Sequence, residues 1–298
     1  MRGKDQPISS LKTVDLKTYN NMIYSKKNEY DLSRLRHEIA AVDGHDERVR
    51  LPLGIDSLDY ALAGGLALGR VHLLSGAMQA HGAVSGFTIA LLCILQQHSS
   101  VRKPTNNIQP RSRSSQDAGL IIWCPASQWG GAGMLYGHGL AAAGLDPARL
   151  LIVDTPSPSR RLAALDDVLR TEGLAAVVIE YDGLQKSADY WMRLARRAQL
   201  AAEQSGTTAF LLGAPIAVSG FETAWQIKPA PDFVMKSNSA LVRRSVWELT
   251  LQRARGGHPY VCRASWQADS ASFHAINQTG ILPDIIVQAD LNINTVAI

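Results

Sequence analysis

The chain has 298 residues, enough for one large domain or two small ones, with 46% hydrophobic and 19% charged residues. Its net charge of +4 suits an acidic partner but is too small to indicate nucleic acid by itself. The N-terminus is polar and no run of about 18 apolar residues occurs, so the sequence reads as a cytoplasmic protein without a membrane span.

Residues 1–50 read as an N-terminal arm. It is polar and Lys-rich to about residue 30, followed by a short helix over Asp31–Val42 that places Leu32, Leu35, Ile39 and Val42 on one face. That helix suits docking on its own domain or on a partner. A core is expected over 51–270. It opens with a short helix carrying Ile55, Leu58, Leu62 and Leu66 and ending at Gly64-Gly65. Arg70–Leu74 is a strand-length apolar run ending at Ser75-Gly76, and from Gly82 onward a helix is apolar nearly all round.

A strand entering a helix through a glycine loop is the layout that holds phosphates in P-loop proteins. There, backbone N–H groups and a Lys cradle the anion, and a Ser/Thr hydroxyl holds magnesium. Counting Gly-x-x-x-x-Gly-Lys-Ser/Thr from Gly76 puts Gly82 at the Lys and Ala83 at the hydroxyl. One inserted residue puts Gly82 at the second Gly, Ala83 at the Lys and Val84 at the hydroxyl. Neither register supplies the ammonium or the magnesium ligand. Gly76, Gly82, Ala83 and Val84 therefore read as a vestigial nucleotide loop. An ordinary strand-to-helix connection is the plainer alternative.

Residues 99–117 are rich in Ser, Asn, Pro and Arg and read as a basic, flexible insertion. Strand and helix then alternate. Strands are expected at Gly119–Cys124, Arg149–Asp154, Leu174–Glu180 and Thr207–Gly213, with helices at Met134–Leu145, Arg160–Glu172 and Tyr190–Glu203. Apolar strands alternating with helices imply an α/β fold, a mainly parallel sheet with helices on both faces. Ala224–Lys228, Ser245–Leu251 and a hairpin around Gly256-Gly257 into Tyr260–Cys262 imply an antiparallel C-terminal extension. Residues 271–298 form a C-terminal tail, β-branched from Ile281 to Ile298, that suits a final strand or a partner's sheet edge.

Glu180 closes an apolar strand where a Walker B acid would lie; a loop or helix-capping acid is the plainer alternative. No charged side chain occurs from Ala118 to Leu145, so the acid expected after the second strand is missing. One carboxylate without the loop Lys does not supply the charge stabilisation that phosphoryl transfer needs. The expectation is a protein that is not an enzyme, with no cofactor and no metal. Cys93, Cys124 and Cys262 sit in apolar runs without metal-ligand spacing and read as buried free thiols. Arg243, Arg244, Arg253 and Arg255 flank one strand, and Arg193, Arg196 and Arg197 lie along one helix. Both sets suit a DNA-backbone surface or a solvated, salt-bridged face.

The run Leu53-Gly54-Ile55-Asp56-Ser57-Leu58-Asp59, then Gly64-Gly65-Leu66-Ala67-Leu68-Gly69-Arg70 and Leu74-Ser75-Gly76, resembles the approach to the P-loop in the RecA core. Within that superfamily the chain resembles the ImuA-type accessory proteins of bacterial inducible mutagenesis. The likeness rests on the degraded loop, Ile122-Trp123-Cys124, His138–Arg149, Arg196–Phe210 and the stretch from Trp247 through Arg253 and Arg255 to Gly256-Gly257. The resemblance implies a RecA-like core and a role in SOS-inducible translesion synthesis. It implies as partners an ImuB-type inactive relative of Y-family polymerases, an error-prone C-family polymerase, and RecA or single-stranded DNA. A RecA-family ATP- or DNA-binding protein that modulates RecA, or a SulA-like division inhibitor, is the alternative. The missing Lys, hydroxyl and acid argue against an ATP-driven filament.

Overall fold

The computed structural model describes residues 49–101, 119–126, 135–155, 157–171, 173–181, 186–231 and 245–276. The helix expected at Asp31–Val42, nearly all of the basic insertion, the tail from Ile281, Arg243 and Arg244 lie outside the described residues.

A small ribbon precedes the main sheet: β1 (Arg50–Leu51) pairs antiparallel with β2 (Leu66–Ala67), and α1 (Asp56–Ala61) lies between them. Leu66, expected on the helix, is a strand residue instead. The helix stops early because Ala63, Gly64 and Gly65 all take positive φ and turn the chain back. Gly65 has no alternative, since a Cβ there would meet the Leu51 carbonyl oxygen at 2.5 Å.

Nine strands form the main sheet in the order β11-β10-β9-β8-β3-β7-β6-β4-β5. They are β3 (Val71–Ser75), β4 (Leu120–Cys124), β5 (Leu150–Ile152), β6 (Leu174–Glu180), β7 (Thr208–Leu212), β8 (Thr223–Pro229), β9 (Ser245–Ala254), β10 (Tyr260–Gln267) and β11 (Ser272–Ala275). Strands β3 to β8 run parallel to one another; the pairings β8–β9, β9–β10 and β10–β11 are antiparallel. This is the α/β architecture expected, with the antiparallel extension at its C-terminal side. Strand β11 adds an edge for which the sequence pattern offers too few residues to register.

The alternation of buried side chains divides the core. Leu74, Trp123, Val178, Phe210, Trp225 and Leu249 face α2 (His81–Val101) and α3 (Gly137–Ala142); Leu73, Cys124, Val177, Leu211 and Ala224 face α4 (Pro158–Leu169) and α5 (Ala188–Ser205). Helix α2 is apolar all round because the sheet holds one side while Phe87 meets Trp225, Trp247 and Phe273 at ring separations of 5.5–5.8 Å. Helix α4 begins two residues before the expected Arg160, with Ser157 as cap and Pro158 in its first turn, a pairing that favours helix starts. Helix α3 is shorter than expected, since Gly144 takes φ +98° just beyond it. No helix among the described residues is long and apolar enough to cross a membrane.

Candidate functional site

The loop between β3 and α2 has the expected layout and a filled interior. After Gly76 a short 3-10 turn, Met78–Ala80, leads into α2 at His81. A Cβ on Gly76 would lie 2.8 Å from the Ile227 carbonyl oxygen and 2.8 Å from Val84 Cγ2. Val84 and Ala80 are buried, so apolar side chains occupy the inside of the turn. Ala83 is half-buried, and Gly82 faces open space. His81 stands at the helix N-terminus, and desolvation lowers its pKa, which disfavours the imidazolium there. Gly76, Gly82, Ala83 and Val84 are thus together, and none of their side chains offers a polar group to a phosphate or magnesium. The amides of the α2 N-terminus are the groups there suited to an anion.

Glu180 ends β6, two strands away from β3 in the sheet order. It is buried. Trp123 Nε1 donates to its Oε1 at 2.9 Å, and the Ala126 amide donates to its Oε2 at 2.8 Å. Burial pushes its pKa up; those two hydrogen bonds and the nearby Arg161 guanidinium pull against that. Each oxygen therefore already accepts one hydrogen bond from the protein. The carboxylate ties β6 to β4 and to the turn that leaves β4, a role different from the loop or capping acid of the plainer reading. Arg161, fully buried at the start of α4, donates to the Thr155 hydroxyl at 3.0 Å and to the Glu180 backbone carbonyl at 3.4 Å.

The approach motif is explained by local bonding. Asp59 Oδ1 accepts from the Leu53 amide at 2.7 Å and Oδ2 from the Gly54 amide at 3.0 Å, closing a turn in which Gly54 takes φ +85°. The Gly69 amide donates to the Thr208 hydroxyl at 3.0 Å, and the Val71 amide to Gln199 Oε1 at 2.6 Å. The motif positions the loop; Asp59 and Thr208 touch no candidate ligand position.

Arg253 and Arg255 lie at the opposite end of the sheet from Gly76. Antiparallel pairing sets Ala254 against Thr223 at the start of β8, whereas Ser75 pairs with Gln226 further along it. Arg253 donates to the Val218 carbonyl, and Arg255 Nε lies 3.9 Å from the carboxylate of buried Glu222. The Arg255 side chain is 44% exposed. These two arginines therefore fasten the connection from β7 to β8 onto the end of β9. Cys93 and Cys124 are buried and Cys262 half-buried; all three are free, and burial pushes their thiols up to about 12, 11 and 12. Among the described residues, no group of three His, Cys, Asp or Glu side chains is placed to hold a metal ion.

No family model matches the chain. Over 225 residues, covering 70% of this chain and 80% of the relative, it is 28% identical to Protein ImuA of Caulobacter vibrioides, in each of two strains. The chain is similar, at a distance, to a curated ImuA protein. The ImuA-type resemblance read from the degraded loop and the Trp247–Gly257 stretch thus has support from a curated relative.

Proposed function

We propose that this protein is a non-catalytic, RecA-like adaptor in a cytoplasmic translesion-synthesis complex, acting with an ImuB-type protein and, through it, an error-prone C-family polymerase. The observation that carries the reading is the interior of the loop before α2. Val84 packs into the space above Gly76, and Gly82 and Ala83 supply neither ammonium nor hydroxyl. Phosphoryl transfer on a P-loop depends on those groups and on magnesium for nearly all of its charge stabilisation. Glu180, the one acid suitably placed in sequence, is buried and accepts from Trp123 and Ala126, one hydrogen bond on each oxygen. The distant likeness to Protein ImuA supports the damage-tolerance setting.

Calorimetric titration of ATP and ADP with magnesium tests this, on the chain alone and with an ImuB-type protein present. The expected result is no nucleotide heat in either condition, together with a saturable complex between the two proteins. Nucleotide binding accompanied by hydrolysis overturns the adaptor reading and restores a RecA-family ATPase. No complex with the ImuB-type protein removes the proposed partner.

A further inference from the structure

The outer face of α5 carries three arginines, with acids only toward the two ends of the helix. From Tyr190 to Ala202 the helix holds Arg193, Arg196 and Arg197 and no acid. All three are exposed, and among the described residues none makes an ion pair or hydrogen bond. The acids of the helix stand at its ends: Asp189 in the first turn, and Glu203, which is held by Arg70. Arg193 and Arg197 are like charges four apart, which costs a helix some tenths of a kcal/mol, and Asp189, four residues before Arg193, offsets part of that. The three differ from Arg253 and Arg255, which have internal partners.

Two large apolar side chains share the same surface. Met192 is 52% exposed and Leu200 51% exposed. At about 100° per residue, Met192, Arg196, Leu200, Arg193 and Arg197 fall in that order within roughly 140° of arc. The eight residues between Met192 and Leu200 correspond to about 12 Å along the helix axis. The opposite face is fully committed, since Trp191, Leu194, Ala195, Ala198 and Ala202 pack against the sheet.

We infer that this face docks an acidic amphipathic segment of a partner protein, with two aliphatic side chains seating on Met192 and Leu200 and carboxylates meeting the three guanidiniums. Charge complementarity selects the sign of the partner. The apolar pair selects protein over nucleic acid: a phosphate backbone uses the arginines and leaves Met192 and Leu200 without a contact. The inference stands apart from the proposed function, since it names a surface and a chemistry and does not require an ImuB-type partner.

The test uses the full chain and a fluorescein-labelled helical peptide with leucines eight residues apart and glutamates on either side. Oligo-dT is the competing probe. Saturable peptide binding is expected, weakened about tenfold or more in Arg193→Glu/Arg196→Glu/Arg197→Glu and severalfold in Met192→Ser/Leu200→Ser. All five positions are exposed, so both variants are expected to keep the wild-type Tm, which shows that the fold is intact. Absence of peptide binding, or binding that neither variant changes, overturns the proposal. Oligo-dT binding that is lost with the arginines and indifferent to Met192→Ser/Leu200→Ser also overturns it and makes the face a phosphate-backbone surface.

Discussion

His72 lies on the central strand β3 with no exposed surface and every polar atom engaged. Nε2 lies 2.9 Å from the Ala67 carbonyl, which only accepts, so Nε2 carries the proton. Nδ1 then accepts from the Thr223 hydroxyl at 2.8 Å, whose oxygen accepts in turn from Trp225 Nε1. Desolvation holds the imidazole pKa down to about 4, against an ordinary value of 6.5. The folded state thus binds fewer protons than the unfolded chain between pH 4 and 6.5, and stability falls as pH drops through that window. The full shift corresponds to about 3 kcal/mol. Urea unfolding from pH 7 to pH 4 should show that loss, and His72→Gln should be less stable at pH 7 with a shallower slope; an unchanged slope contradicts the assignment. Glu180 acts with opposite sign. Its raised pKa favours the folded state below about pH 4.5, and that contribution disappears as pH rises through the folded value. Glu180→Gln replaces one acceptor with a donor facing either Trp123 Nε1 or the Ala126 amide, leaving a buried N–H unsatisfied, at a cost of about 1–3 kcal/mol at pH 7. A carboxylate kept for phosphoryl transfer would instead leave the Tm alone and abolish a nucleotide activity. The sequence made Glu180 visible through its place at a strand end. Its partners were not visible, because Trp123 is 57 residues away and pairing between β4 and β6 brings them together.

The elements were legible wherever a long apolar period was present, and least legible at their ends. Strand β6 and the body of α5 follow directly from their residues, because alternate burial and the 3.6-residue period both have many repeats there. The ribbon of β1 and β2 has two residues per strand and no period to read; what fixes it is the Leu51–Gly65 backbone approach. The Gly256-Gly257 pair, singled out in sequence as a hairpin, has a tertiary reason as well. A Cβ on Gly257 would lie 2.0 Å from the Ala61 carbonyl oxygen at the end of α1, and the His258 amide donates to that same oxygen at 3.0 Å. Gly257→Ala forces backbone from backbone, because neither partner is a side chain that can swing away. A loss of about 3 kcal/mol or more is expected in chemical denaturation, against an overpacking cost of about 1–3 kcal/mol where side chains can yield. Gly82→Ala should do the reverse. Gly82 is helical and an added Cβ there meets nothing, so the variant should gain about 0.5–1 kcal/mol, read as a higher Tm. A loop that still received a phosphate against its backbone would show lower nucleotide affinity in the same variant.

At the scale of the molecule, the sheet separates two sets of residues that the sequence could only enumerate. The loop at Gly76 lies at the C-terminal ends of the parallel strands, where open α/β sheets place ligands, and Arg253 and Arg255 lie at the other end. A RecA-type coupling of nucleotide to DNA through this pair would have to run along β8 from near Gln226 back to Thr223. The two arginines also differ from each other. Arg253 is half-buried and holds the Val218 carbonyl, so its guanidinium is a structural tie. Arg255 keeps 44% of its side chain exposed beside Glu222 and is the member of the pair open to an anion. If single-stranded DNA binds here, Arg255→Gln should weaken binding on all sequences. It should also reduce the slope of log K against log salt by about 0.7, the value for one phosphate contact on a single strand. Arg253→Gln should lower the Tm and leave the salt slope as it is. Fluorescence anisotropy across a salt series, with thermal unfolding of each variant, separates the two effects. Equal loss of slope in both variants would mean that Arg253 releases Val218 to reach a phosphate, and an unchanged slope in both would place DNA contact elsewhere on the chain.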